Sequence, residues 1–148
     1  MPRSSHAATR ARSAARRQLM QALYQWQLAD QPWQDVYQQF VAQPEFGHAD
    51  GEYFREALMK IAGSRDELDQ ELGRYAEITP AQLDPVEHAI LFLGLWELMH
   101  RPDVPYRVVI NESVELAKRF GATDGHRFVN AVLDRASRIH RAHERGAA

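Results

Sequence analysis

DPVEHAILFLGLWELM, running from Asp84 to Met99, is the stretch whose reading decides the fold. Asp84 is a good helix cap and Pro85 suits the first helical position. Glu87 stands three residues after the cap, where a capping box places an acid. Past His88 the run is apolar almost all round: Ala89, Ile90, Leu91, Phe92, Leu93, Leu95, Trp96, Leu98 and Met99. A surface helix keeps a polar stripe, and a helix without one has to be enclosed by other elements. At about 15 residues the stretch is short for a bilayer, and Glu87, His88 and Glu97 mark it further against spanning one. It therefore reads as the central core helix of a soluble domain, over residues 86–99.

Working outward, Arg101-Pro102-Asp103-Val104-Pro105 is a loop twice punctuated by proline. The following run, Tyr106 to Phe120, keeps a 3.6 period through Val109, Ile110, Leu116 and Ala117, with Glu115 and Arg119 spaced as an i,i+4 pair on the other face. Gly121 suits a helix end, and Thr123 or Asp124 opens a last helix whose buried stripe is Val129, Val132, Leu133 and Ala136. Phe128 lies about 80° from the centre of that stripe at 100° per residue, which puts it at the rim of the core.

On the N-terminal side, Thr79-Pro80-Ala81-Gln82 is a capping-box turn, and Asp66 to Tyr75 is helical through Leu68 and Leu72. Gly63-Ser64 breaks it from a helix opened by Asp50 or Gly51, with Tyr53, Phe54, Ala57, Leu58 and Ile61 inside. Trp33 to Ala42 is a short amphipathic helix, and Thr9 to Ala29 a longer one with Leu19, Ala22, Leu23 and Trp26 inside. Nothing alternates with period two long enough to demand a strand. The expectation is an all-α bundle of six or seven helices around the helix at 86–99. It forms a single domain over 9–143, with a disordered arm over 1–8 and a flexible tail over 144–148.

A length of 148 residues suits one domain, and the absence of cysteine excludes a disulfide framework or a thiolate metal site, in keeping with a cytoplasmic protein. The net charge of −2 is unevenly placed: residues 1–29 hold Arg3, Arg10, Arg12, Arg16 and Arg17 and no acid. Arginines in the first turns oppose the helix dipole, so their presence points to an external anion rather than to helix stability.

No glycine-rich phosphate loop, nucleophile elbow or zinc-protease signature is present, and the sequence calls for no catalytic residue, metal or cofactor. His140 and His143 stand three apart but read as part of a frayed basic tail. Glu112 and Glu115 lack a facing pair and read as helix surface. The informative residues are the arginine arm with Arg10, Arg12, Arg16 and Arg17, then Tyr24, the Lys118-Arg119 pair and the His126-Arg127-Phe128 corner. Arginines contact phosphates, and an exposed aromatic stacks on an unpaired base. The combination favours single-stranded RNA over duplex DNA, whose base faces are covered.

Three blocks carry a family resemblance: ARRQLMQALYQWQL, VEHAILFLGLWEL and DVPYRVVINESVELAKRFGATDGHRFVNAVLD. Together, over roughly residues 10–140, they resemble the NusB family of transcription antitermination factors. The resemblance implies an all-helical, non-catalytic RNA-binding protein that pairs with NusE, a small-subunit ribosomal protein. The pair would bind the single-stranded boxA element of nascent RNA in antitermination complexes on RNA polymerase, notably on ribosomal RNA operons. It further implies that Arg12, Arg16 and Arg17 contact RNA phosphates, and that Phe128 beside Arg127 is the aromatic RNA contact. Tyr24 and Glu87 would belong to the NusE-facing surface, and Asp124 to the region that tunes partner and RNA binding. The family's start often has a denser arginine run, which Ser13, Ala14 and Ala15 interrupt here.

Some NusB-like proteins self-associate over their RNA site, so a homodimer stays open. The alternative from the enzyme class is the NusB-like RNA-binding domain of a ribosomal RNA cytosine methyltransferase, which requires a further catalytic domain. A helix-turn-helix DNA binder over residues 106–134 is a third reading, weakened by the few base-reading side chains on its second helix.

Overall fold

The structure, a computed structural model, describes residues 5–146. Over these it consists of α1 (Ser5–Ala29), α2 (Trp33–Val41), α3 (Gly51–Gly63), α4 (Arg65–Tyr75), α5 (Pro85–His100), α6 (Tyr106–Phe120) and α7 (Gly125–His140). Single 3-10 turns lie at Pro44–Phe46 and Pro80–Gln82, the second with Thr79 N–H donating to Gln82 Oε1 at 2.9 Å. The regular structure is thus all helical, as the periodicity predicts. One boundary moves: α1 begins at Ser5, inside the arm expected to be disordered over 1–8, whose first four residues lie outside the described range.

Backbone contacts gather into two units, Met1–Gly63 and Ser64–Ala148. In the first, α1 packs on α3, and α2 packs on both. The inner face of α1 is Ala11, Ala15, Leu19, Ala22, Leu23 and Trp26, repeating at three and four residues as an amphipathic helix requires. Phe54 is the aromatic centre of the unit, edge-on to Phe46 at 5.0 Å and stacked near Tyr37 and Phe40 at 6.1 Å each. Asp50 caps α3, its Oδ1 accepting from Tyr53 N–H at 3.1 Å, while its own N–H donates to the Ala11 carbonyl at 3.0 Å.

In the second unit α5 packs against α4, α6 and α7, and every residue from Glu87 to Leu98 is buried. Asp84 caps it through Val86 N–H at 2.9 Å and Glu87 N–H at 3.4 Å. Gly94 permits the close approach of α6 and α7: a methyl group there would lie 2.8 Å from Leu133 Cδ1 and 3.1 Å from Ser113 Oγ. Two histidine–carboxylate pairs hold α4. His88 Nε2 lies 2.6 Å from Asp69 Oδ1, its ring stacked on Phe92, and His140 Nε2 lies 3.1 Å from Glu71 Oε2. Burial pushes the Glu71 carboxyl up, but hydrogen bonds from His140, Arg74 and Tyr75 outweigh it and hold the group below the usual range.

The segment after α7 departs from the frayed basic tail expected around His140 and His143; of the tail expected over 144–148, Glu144 and Arg145 make the contacts below, and Ala147 and Ala148 lie outside the described residues. Arg141 is buried, and its guanidinium closes the C-terminal end of α5. Nε donates to the Leu98 carbonyl at 2.9 Å and Nη1 to Val104 at 2.8 Å. Nη2 donates to Glu97 at 3.0 Å and to Arg101 at 2.8 Å. Glu144 accepts from Arg141 at 2.6 Å through Oε1 and from Tyr106 N–H at 2.8 Å through Oε2, which caps α6. Arg145 reaches Ser137 Oγ at 2.9 Å and Asp134 at 3.2 Å. The last carbonyls of a helix have no partner within it, and a planar five-donor fork satisfies several at once where an ammonium cannot. The expected Glu115–Arg119 pair is also replaced: Glu115 lies 3.5 Å from Lys118, and the Arg119 guanidinium lies over the Phe120 ring at 5.0 Å.

Arg141→Ala strands buried carbonyls and an acid, so it is expected to cost about 3 kcal/mol or more of unfolding free energy. Arg141→Lys should recover only a minor part. Urea denaturation checks this as a lower midpoint at unchanged slope.

Candidate nucleic-acid interface

Arginines on one helix face different ways according to their spacing, and α1 sorts its own accordingly. Arg12 and Arg16, one turn apart, are turned onto α3. The Arg12 guanidinium lies 3.9 Å over the Tyr53 ring with Nε 3.4 Å from Asp50 Oδ2, and that of Arg16 is 5.8 Å from the same ring. Arg16 is only 3% exposed, so its place is in the packing of α1 on α3. Arg10 is exposed and Arg17 half-exposed, and both line an open groove of about 450 Å³ with His48. His48, which sequence reasoning did not single out, lines this groove; its only signal was a histidine in the loop before α3.

Tyr24 is 38% exposed on α1, and Leu28, one turn further on, is 58% exposed. The two form an apolar step on the outside of the helix. Leu28 was also missed, although it falls off the buried stripe four residues after Tyr24, which is signal enough.

In the second unit the turn into α7 collects four predicted residues. Asp124 adopts φ 66° and ψ 0°, a left-handed conformation that aspartate tolerates better than most residues. Its carboxylate is exposed, 3.7 Å from Arg127 Nε. Arg127 is exposed and Phe128 half-exposed, while Val129 next to it is fully buried. Phe128 thus sits at the rim that its angular position on the helix implies. Glu87, by contrast, is buried: its carboxylate lies against Gly125, where a methyl group would sit 1.8 Å from Oε1. Burial, and to a smaller extent the charge of Asp84, raise its pKa, despite the helix N-terminus that ordinarily favours a carboxylate. Lys118 is exposed on α6 with Glu115 beside it.

Chemically, this set supplies cations for phosphates and one aromatic edge for a base. Among the described residues no three metal-binding side chains gather, and no helix is long and apolar enough to cross a membrane. His140 is engaged with Glu71 and Tyr75.

Residues 13–138 match the family model of the NusB family. The transcription antitermination protein NusB of Pseudomonas putida (strain GB-1) is 52% identical over 124 residues, covering 84% of this chain and 75% of that protein. Among solved structures, T. maritima NusB superposes with a TM-score of 0.76 at 26% identity, covering 91% of this chain and 96% of that one. A NusB crystallised with NusE and double-stranded RNA gives a TM-score of 0.79 over 90% of this chain and 98% of its own. At 24% identity, that last likeness speaks to the fold. The chain belongs to the NusB family.

Because the folded state raises the Glu87 pKa, the native chain binds that proton more tightly than the unfolded chain. Stability from this group is therefore present at low pH and lost as pH rises through the raised value. Glu87→Gln should raise the melting temperature by a few degrees at pH 7.5, and by less at pH 4. Equal gains at both values would show that the buried charge is not the cause.

Proposed function

We propose that this chain is a non-catalytic RNA-binding transcription antitermination factor. It binds the single-stranded boxA element together with NusE in antitermination complexes on RNA polymerase, notably on ribosomal RNA operons, in the cytoplasm. The observation that carries this reading, in a chain of the NusB family, is that each unit keeps RNA-suited side chains outside its packing, Arg10 and Arg17 in the first and Phe128 beside Arg127 in the second. Arg10, Arg17, Lys118 and Arg127 neutralise phosphates, and Phe128 stacks on an unpaired base. Arg12 and Arg16 act at one remove, by holding α1 on Tyr53. Tyr24 with Leu28 offers NusE an apolar step. Asp124 contacts NusE directly, whereas buried Glu87 acts through the turn that it supports at Gly125. A homodimer over the same surfaces would compete with RNA. The methyltransferase-domain alternative is not favoured, because the P. putida relative is itself an antitermination protein.

The test is fluorescence anisotropy with a short boxA-type single strand, with and without NusE, over a salt series, with duplex RNA and duplex DNA arms. Binding should tighten with NusE. Phe128→Asp should weaken it about tenfold or more, and Arg17→Glu should lower the salt slope by about one to two. The charge is reversed at Arg17 and not at neighbouring Arg16, because Arg16 is buried and its reversal would disturb the fold. If the chain fails to bind RNA even with NusE, or prefers duplex DNA, the reading is wrong.

A further inference from the structure

All five N–H groups of the buried Arg141 guanidinium are used. Four go to the uncharged carbonyls of Glu97, Leu98, Arg101 and Val104. The fifth goes to Glu144, the one carboxylate on this cation among the described residues. A buried charge demands a counter-charge far more strongly than an exposed one does. Yet the residue that supplies it is exposed and stands beyond the end of α7. Its other oxygen accepts from Tyr106 N–H at the start of α6. One buried guanidinium and one helix N-terminus therefore make a seat for a carboxylate, and the chain's own tail fills it.

We propose that this seat at the start of α6 docks an acidic segment of a protein partner, whose carboxylate takes the place of Glu144 on Arg141 and Tyr106 N–H. The proposal goes beyond RNA binding and uses none of the residues assigned to it.

Cations outnumber acids around it. Arg107 is exposed, its Nε donates to the Tyr106 hydroxyl at 3.2 Å, and no carboxylate pairs with it among the described residues. Arg138 and Arg145 share the single carboxylate of Asp134, at 3.0 Å and 3.2 Å. Arg101 and Asp103, in the loop before α6, neutralise each other at 2.9 Å. That leaves four guanidiniums, of Arg107, Arg138, Arg141 and Arg145, to two carboxylates, of Asp134 and Glu144. Burial pushes the Glu144 carboxyl up, but the bonds from Tyr106 N–H and Arg141, with the charges of Arg141 and Arg107, outweigh it and hold the group below the usual range. An ionised carboxylate is the form this place selects.

The network also decides which anion fits. The Tyr106 ring lies under the Arg145 guanidinium at 4.8 Å and its hydroxyl is held by Arg107, so the aromatic is engaged within the chain rather than offered to a base. Both anions already seated are carboxylates, and a partner's carboxylate replaces Glu144 like for like. A second acid on the same segment finds Arg107, which has no paired ion of its own. Exchange at one point and gain at the other favour the incoming segment over the tail. Arg138 stands ten residues after Phe128 on α7, about 15 Å along the axis, so the segment and a base on Phe128 do not compete.

The test is anisotropy with a fluorescein-labelled decaglutamate peptide, with melting curves alongside. Glu144→Ala vacates the seat and should bind the peptide about tenfold tighter than wild type. It should also melt lower than wild type without the peptide and regain most of that loss with it. Arg107→Gln should weaken binding about threefold in both backgrounds. Glu67→Ala removes an exposed acid from α4, and Arg10→Gln an exposed arginine from α1, so the two match the changes in net charge. If neither wild type nor Glu144→Ala binds the peptide, the seat is refuted. If Glu144→Ala gains no more than Glu67→Ala, or Arg107→Gln loses no more than Arg10→Gln, the attraction is one of net charge and the seat is again refuted. A single-stranded RNA arm tests the other occupant: if Arg107→Gln weakens RNA and leaves the peptide untouched, the surface belongs to RNA and the acidic segment falls. Failure of wild type to bind RNA bears on the function proposed above and leaves the seat standing.

Discussion

A helix with no polar face imposes one condition on everything around it: all of its sides and both of its ends have to be closed. α5 is such a helix, and the second unit is organised by meeting that condition. Its sides are covered by α4, α6 and α7, which approach closely because Gly94 leaves room for Leu133 and Ser113. Its N-terminal end is closed by Asp84 and its C-terminal end by Arg141. The polar residues within it are also absorbed, His88 by Asp69 and Glu87 against Gly125. A buried polar group without a partner costs far more than a satisfied one contributes, so these positions leave little freedom.

The same logic divides the functional side chains. On α1, the arginines facing α3 are consumed by Tyr53 and Asp50, and those on the other side of the helix line an open groove. On α7, the helix phase that buries Val129 and Val132 leaves Phe128 at the rim. The left-handed turn at Asp124 then sets the direction in which Arg127 and Phe128 emerge. A site of this kind is the part of a charged or aromatic pattern that packing does not use.

Most of the helices were legible because apolar spacing survives in the sequence whatever the tertiary arrangement. The cap at Asp84, the stripe from Tyr53 to Ile61 and the rim position of Phe128 all follow from local periodicity. What was not legible depends on partners distant in sequence. Arg141 reads as one more solvated base because its acceptors are backbone carbonyls, which carry no residue signature, 37 to 44 residues away. Arg16 and Arg17 are adjacent and chemically identical; the phase of the α1 stripe separates the inward one from the outward one, but that Arg16 is covered almost completely depends on packing against α3, with Tyr53 distant in sequence. His48 comes beside Arg10 and Arg17 only because its loop is folded back onto α1.

The bond from Arg141 to Glu97 has a consequence for how the chain is made. Forty-four residues separate the two partners. At about 5–20 residues per second, a ribosome needs roughly 2–9 s to cover that distance. Asp69 of α4 is made before His88, so α5 can meet α4 as soon as both are clear of the ribosome. Its open carbonyl end and the faces that α6 and α7 cover must wait for the chain that follows. The order of synthesis, and not final stability, thus decides which partner of the most apolar helix comes last, and until then a chaperone or a wrong partner can find it.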